Sequence, residues 1–192
     1  MTLIEAAVER AEAVDGWMYP AELRWLAEQA YRSLVVIEVG VWKGRSTTAI
    51  CHAAAGQVFA ADHFRGSPEE LDEHHAEAAR DPESLYAQAC GNLSSFLETG
   101  RLTLLRMDSL AAAARLQSMG VVADMVFIDG GHDAASAAAD LAAFAPLVRT
   151  GGLLCGHDRE WAGVNAALVE FFPTGWETGP GSLWFRRMGI PA

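Results

Sequence analysis

Cysteine is scarce in this chain: three residues in 192, Cys51, Cys90 and Cys155, widely separated and odd in number. That argues against a disulfide framework or a zinc site and suits reduced thiols in the cytoplasm. Basic residues are also few, 14 Lys plus Arg against 25 Asp plus Glu, for a formal net charge of −11. A surface of that sign repels nucleic-acid phosphates and anionic lipid, so no nucleic acid and no membrane is expected as a partner, and a small molecule is. No apolar run reaches the roughly 20 residues that cross a bilayer. The stretch after Met1, "TLIEAAVERAEAV", has neither the cationic start nor the unbroken apolar core of a secretory leader. Repeats and low-complexity linkers are lacking as well. The length fits one soluble domain over residues 1–192, with a core that needs no disulfide or metal to fold.

What the chain does have is alternation. Residues 2–14 and 20–32 carry apolar groups at helical spacing (Leu3, Ala7, Val14; Leu23, Leu26, Ala27, Ala30), separated by "DGWMYP". These two leading helices, within 1–33, have an apolar face to place on the sheet or on a second subunit. From "LVVIEVG" onward, short β-branched runs alternate with Ala-rich stretches, the pattern of βα units and a parallel sheet. The runs predict strands near 34–39, 57–61, 102–106, 124–128 and 152–155, and helices near 45–55, 84–97, 109–118, 134–148 and 161–171. "GWETGPGSLWFRR" then reads as two strands around a Gly-Pro-Gly turn, an antiparallel edge. The fold class is α/β, a Rossmann-like, doubly wound, seven-stranded and mostly parallel sheet with an antiparallel C-terminal hairpin strand. One insertion stands apart, residues 64–83. Its part "EELDEHHAEAARDPE" holds seven acids and one Arg, and is either a solvated acidic helix or a flap over the site.

Polar residues collect where the apolar runs end. "IEVGVWKGRST" closes the first strand with Glu38, followed by Gly40, Gly44 and a helix start at Ser46. Gly40 allows a tight turn and Gly44 lets a ligand approach a helix N-terminus. Trp42 stands where a dinucleotide-binding fingerprint needs its second glycine, and no Gly-Lys-Ser/Thr of a P-loop follows. The second strand ends in Asp62, 22 positions after Gly40, where a carboxylate can accept both ribose hydroxyls of a nucleoside. His63 follows it directly. The third ends in Asp108 and Ser109, and Asp108 is equally suited to cap the next helix. The fourth ends in "FIDGGHD" and the fifth in "GHD", so Asp129 and Asp158 face one cleft if those strands are neighbours. Two carboxylates so close repel unless one is protonated or a cation lies between them.

Taken together, "EVGVWKGRST", "ADHF", "DMVFIDGGHDAASAAADLAAFAPLVRTGGLLCGHD" resemble the macrocin O-methyltransferase and cephalosporin-biosynthesis-like branch of class I S-adenosylmethionine (SAM) methyltransferases. The resemblance implies a SAM site built from Glu38, Gly40, Trp42, Gly44, Ser46, Asp62, His63, Asp108, Ser109 and Asp129. It also implies His132 as a base, and a divalent metal, Mg²⁺ or Mn²⁺, on Asp129 and on the pair His157 and Asp158. His157 departs from the pattern, because the sugar enzymes of that branch carry a second Asp there. As a ligand it would shift preference toward softer cations; turned away, it would leave the metal weak or absent. The implied activity is O-methylation of a sugar or other natural-product-like acceptor. Three alternatives stay open: a metal-independent methyltransferase, an iron oxygenase site on Asp129, His132 and His157, and a non-catalytic nucleoside-binding module. Trp17, Tyr19, Trp161 and Trp176 are candidates to line the acceptor pocket.

Overall fold

The computed structural model describes residues 1–66 and 78–189. Helix α1 (Leu3–Glu12) begins on a capping box, in which the Thr2 hydroxyl accepts from the Glu5 N–H and the Glu5 carboxylate accepts from the Thr2 N–H. Helix α2 (Pro20–Ala30) begins on Pro20, whose fixed φ and missing N–H suit a first turn. Then follow β1 (Val35–Val39), α3 (Arg45–Ala53), β2 (Gln57–Asp62), α4 (Pro82–Asn92), α5 (Ser94–Glu98), β3 (Leu102–Arg106), α6 (Ser109–Ser118), β4 (Ala123–Ile128), α7 (Ala134–Phe144), β5 (Val148–Gly156), α8 (Ala162–Phe171), β6 (Glu177–Thr178) and β7 (Trp184–Arg187).

The strands form one seven-stranded sheet in the order β3-β2-β1-β4-β5-β7-β6. β1 to β5 are mutually parallel, and β7 runs antiparallel to β5 and to β6. The sheet divides the core in two. On one face Leu23, Leu26, Ile50 and Leu93 pack with Val36, Phe127 and Cys155; on the other Leu116, Leu141, Phe144 and Leu168 pack with Ile37, Val126 and Leu154. The sign alternates residue by residue along β1 and β4, as period-two side chains require. Because β1 and β4 are neighbours while the chain leaves them toward opposite edges, a crevice opens beyond their carboxyl ends.

Two helices differ from the pattern read in the sequence. The helix expected over 84–97 starts earlier, on the Asp81 cap and Pro82, and breaks at Leu93 (φ −102°, ψ 6°) just after Gly91 and Asn92, both weak helix formers. The one expected over 134–148 ends at Phe144, because Pro146 cannot donate; a 3₁₀ turn, Ala145–Leu147, leads straight into β5. β5 accordingly begins before residue 152, and its register against β4 shifts between Ala123 and Met125. Of the acidic insertion, residues 67–77 lie outside the described residues, so the flap expectation does too. The flanking Phe64 and Ala78 are buried in the core.

Candidate active site

A cleft of about 320 Å³ opens at the carboxyl ends of β1, β2, β4 and β5. Its floor depends on Gly40, at φ +87°, where a Cβ would sit 1.8 Å from the Asp129 carbonyl oxygen. Only glycine lets the ends of β1 and β4 approach this closely. Trp42 is also left-handed, φ 52°, and its ring packs on Trp17 with centroids 5.2 Å apart. Both rings line the cleft. Behind this loop Glu38 is fully buried and accepts from the Ser46 hydroxyl at 2.6 Å. Burial, reinforced by the charges of Asp129 and Asp62, pushes its carboxyl up to about 8 against the opposing Ser46 bond, so Glu38 is protonated at neutral pH.

Asp62 lines the cleft and braces the loop at once. Its Oδ2 accepts from the Val41 and Trp42 N–H groups at 2.8 and 2.9 Å, and its Oδ1 from the Phe64 N–H at 2.6 Å. His63 and Ser109 line the same space, whereas Glu38, Gly44 and Asp108 do not reach it. Asp108 stands at the N-cap of α6 without capping it; its carboxylate turns outward to Arg65 at 2.6 Å. In its place the structure presents Asp140, a buried residue of α7. Burial raises its carboxyl to about 6, offset by a hydrogen bond from Ser109 and assisted by the charge of Asp133.

The seven residues "FIDGGHD" separate into three roles. Asp129 extends the sheet through its N–H to Val39 and turns its carboxylate into the cleft. Asp133 caps α7, accepting from the N–H groups of Ala135 and Ser136. Between them His132 stacks on Trp161, with centroids 4.9 Å apart and planes at 28°, and places Nε2 2.8 Å from Asp158 Oδ2. If Nε2–H donates to the Asp158 carboxylate, the basic lone pair of a neutral His132 is on Nδ1. Asp158 is the third non-glycine residue with a left-handed backbone, φ 60°, a conformation Asp tolerates better than most residues.

His157 turns toward α2. Its Nε2 lies 2.9 Å from Glu22 Oε1, and its Nδ1 is 3.2 Å from Asp158 Oδ2 and 3.8 Å from Asp129 Oδ1. Glu22 also accepts from the N–H groups of Tyr19 and Ser182, at 2.7 and 2.8 Å, so one carboxylate ties α2, β5 and the loop before β7 together. Burial would lower the His157 imidazole, but its hydrogen bonds to Asp158 and Glu22 win and raise it to about 11. Asp158 is pushed up by burial and pulled down further by His132 and His157, ending well below the usual carboxylate range. Asp129 goes the other way, to about 6, through burial and the neighbouring Asp158 charge, with His157 opposing.

A sequence profile for a methyltransferase domain matches residues 37–159, more than half of the chain, from within β1 to just past the end of β5. The chain belongs to the methyltransferase-domain family. Its fold agrees with solved methyltransferases of low identity. The O-methyltransferase TomG from Streptomyces achromogenes, of tomaymycin synthesis and solved with SAM, superposes with a TM-score of 0.68 at 14% identity, covering 98% of this chain and 91% of that one. Podospora anserina PaMTH1, solved with S-adenosylhomocysteine (SAH), gives 0.64 at 14% identity, covering 97% and 88%. The calicheamicin methyltransferase CalS11 gives 0.61 at 18%, covering 88% and 77%.

For this SAM-dependent methyltransferase the divalent cation can be tested against the side chains. Asp129, His132 and Asp158 offer ligand atoms within 4.8 Å of one another, a donor set that cations use. In the set implied by the resemblance, His157 Nδ1 lies 3.2 Å from Asp158 Oδ2 and 3.8 Å from Asp129 Oδ1, while its Nε2 faces Glu22 Oε1 at 2.9 Å, the outer carboxylate contact that a ligating histidine makes. The iron reading on Asp129, His132 and His157 gets no support from the methyltransferase-domain match. Trp17 and Trp161 line the cleft as expected; Tyr19 is 72% exposed, and Trp176 packs against the core under α7 and α8. Sequence reasoning missed Glu22 and Asp140. Glu22 carries a visible signal, an acid inside the buried stripe that continues with Leu23, Leu26, Ala27 and Ala30. No helix among the described residues is long and apolar enough to cross a membrane.

Proposed function

We propose that this protein transfers the methyl group of SAM to a hydroxyl of a small molecule held between Trp17, Trp42 and Trp161, with His132 removing the hydroxyl proton. One observation carries the reading: an imidazole held by a half-buried carboxylate, His132 on Asp158, in the same cleft as the Gly40 loop and Asp62. SAM when bound supplies the electrophilic methyl and its leaving group, so the chain has only to bind, orient and deprotonate. Asp62 would take the ribose hydroxyls, with the Val41 and Trp42 N–H groups fixing its Oδ2. Ser109 and Asp140, which line the same cleft, would read the adenine edge. Trp161, stacked on His132, keeps the imidazole plane fixed and gives an acceptor a flat wall.

Asp129 and Asp158 would hold a divalent cation between them, which would compensate the two carboxylates and lower the pKa of an acceptor hydroxyl; metal-independent O-methylation is the alternative. The acceptor belongs to the sugar-like or natural-product-like hydroxyl compounds. Among the described residues lining the cleft, the one Arg, Arg45, donates to backbone carbonyls of Met18, Glu12 and Val14, so it offers a phosphate-bearing acceptor little.

The test is calorimetric titration with SAH, followed by transfer of labelled methyl from SAM to a panel of free sugars, catechols and phenols. His132→Gln is expected to bind SAH like the parent and lose roughly 10²- to 10⁴-fold in transfer, the usual contribution of a general base. A parent that binds no SAH would sink the proposal. Full turnover by His132→Gln would remove His132 from its role and leave the cofactor reading standing.

A further inference from the structure

The loop that turns β1 into α3 has two sides. Its backbone serves the cofactor side of the cleft, where the Val41 and Trp42 N–H groups hold Asp62. Its side chains reach the linker between α1 and α2, residues 13–19. We infer that this linker is a selecting wall for the methyl acceptor, and that Arg45, the first residue of α3, is the positioning residue that holds Trp17 of the linker at the cleft. The inference rests on the methyltransferase reading of the cleft and names what orders its acceptor side.

Three side chains of the loop cross to the linker. Arg45 Nε donates to the Met18 carbonyl at 3.0 Å, and its Nη1 donates to the carbonyls of Val14 and Glu12 at 2.7 and 3.2 Å. Lys43 Nζ meets Asp15 Oδ2 at 2.7 Å, and the Trp42 ring packs on Trp17. These contacts differ in weight. Asp15 is 71% exposed, so water screens its ion pair and the contact adds little. Glu12 ends α1, where the last carbonyls lack partners within the helix, so a donor from elsewhere is needed there. The guanidinium fork supplies it and, through Val14 and Met18, grips both ends of the stretch that carries Trp17; a lysine has no such fork. Gly16 leaves room for the Arg45 stem, since a Cβ there would sit 2.9 Å from Cδ. Gly16, Trp17 and Met18 all line the cleft, and the indole gives an acceptor a flat apolar face. With the guanidinium spent on main-chain carbonyls and Lys43 paired to Asp15, this wall selects by shape and not by charge.

The test uses the full chain labelled with fluorotryptophan, the Trp17 resonance being assigned by its loss in Trp17→Phe. In ¹⁹F spectra of the SAH-saturated proteins, Arg45→Ala is expected to move that resonance toward the solvent-exposed position and enlarge its solvent isotope shift, while SAH affinity by calorimetry stays close to that of the parent. Should Arg45→Ala fail to fold, Gly16→Ala decides, because its Cβ pushes on the Arg45 stem from the linker side and is expected to move the same resonance. A flat wall binds acceptor and transition state alike, so its loss appears in KM. For the sugar, catechol or phenol that the parent methylates fastest, KM is expected to rise about tenfold in Arg45→Ala and in Trp17→Ala with kcat little changed, and to rise no further in the double variant. If none of the panel is methylated, the ¹⁹F spectra and the SAH titration decide. An unmoved Trp17 resonance, or KM increases that multiply in the double variant, overturns the inference, because Arg45 then acts apart from Trp17. Loss of SAH binding by Arg45→Ala overturns it as well, since the residue then belongs to the cofactor site. A parent that binds no SAH refutes the methyltransferase cleft, whereas the Trp17 resonance judges the hold of Arg45 alone.

Discussion

Replacing Glu22 by Ala should destabilise this protein more than almost any other single change of a charged residue. The substitution strands the His157 imidazolium, 10% exposed, beside a void, and frees the Tyr19 and Ser182 N–H groups that Glu22 satisfies. Removing one partner of a buried ion pair costs about 3–5 kcal/mol, which at this chain length lowers Tm by roughly 6–20 °C. Glu22→Gln keeps the shape and an accepting oxygen while removing the charge, so its loss should be smaller. The pH dependence separates the charge from the packing. His157 has a folded value raised from 6.5 to about 11. Its contribution is therefore complete below pH 6.5 and is lost as pH climbs toward 11, giving a parental stability slope between pH 7 and 9 of up to about −1.4 kcal/mol per pH unit. Thermal unfolding followed by circular dichroism at pH 7, 8 and 9 should show the parent falling more steeply than Glu22→Gln. Parallel slopes for the two proteins would refute the argument that the pair is ionised and coupled.

Three further perturbations probe separate parts of the site. Gly40→Ala puts a Cβ 1.8 Å from the Asp129 carbonyl oxygen in a left-handed backbone, so SAH binding by calorimetry should disappear; retained binding would mean that the β1 and β4 ends separate without harm. Asp133→Ala removes the cap of α7 but none of the cleft, and should cost about 1 kcal/mol in unfolding while SAH affinity stays within about twofold. Asp140→Asn should raise Tm at pH 7.5. The folded carboxyl, lifted to about 6, favours its protonated form, so the acid destabilises as pH rises from 3.8 to about 6 and stays costly above it. A variant whose advantage over the parent grows as pH rises from 3.8 to about 6 and then stays constant up to pH 7.5 is the expected signature.

The fold was legible because its signals are local. The apolar runs ending in Glu38, Asp62, Asp108, Asp129 and Asp158 announced five parallel strands, and those strands pair in the doubly wound order with a hairpin edge. Boundaries failed where one residue outweighs a pattern: Pro146 stops α7 although the apolar spacing continues, and Gly91 with Asn92 splits the expected helix before β3. The site was legible as a set of strand ends, less so as a set of contacts. Spacing could place Asp129, His132, His157 and Asp158 in one cleft. Nothing within ten residues of His157 says that its ring turns to an acid 135 positions earlier. Asp108 was misleading for a related reason, since only the fold reveals Arg65 within reach and Asp140 facing the space Asp108 vacates.

Glu22 shows why the leading helices belong to the chemistry. As the third residue of α2 it does what a first-turn acid ordinarily does, accepting from the N–H of the residue before the helix. Its other oxygen serves Ser182 and His157, so the same carboxylate fixes the loop before β7 and the charge at the cleft. Helix propensity alone explains the first bond and is indifferent to the other two. The burial of the residue discriminates: an acid kept only for capping has no reason to be 1% exposed among Leu23, Leu26 and Ala27. A buried carboxylate persists when donors share its site, and the Tyr19 N–H, the Ser182 N–H and the His157 ring supply them. The first two bonds belong to the helix start and to the loop before β7, so Glu22 would stay tied down whatever stands at 157, and the His157 contact is what carries it to the cleft.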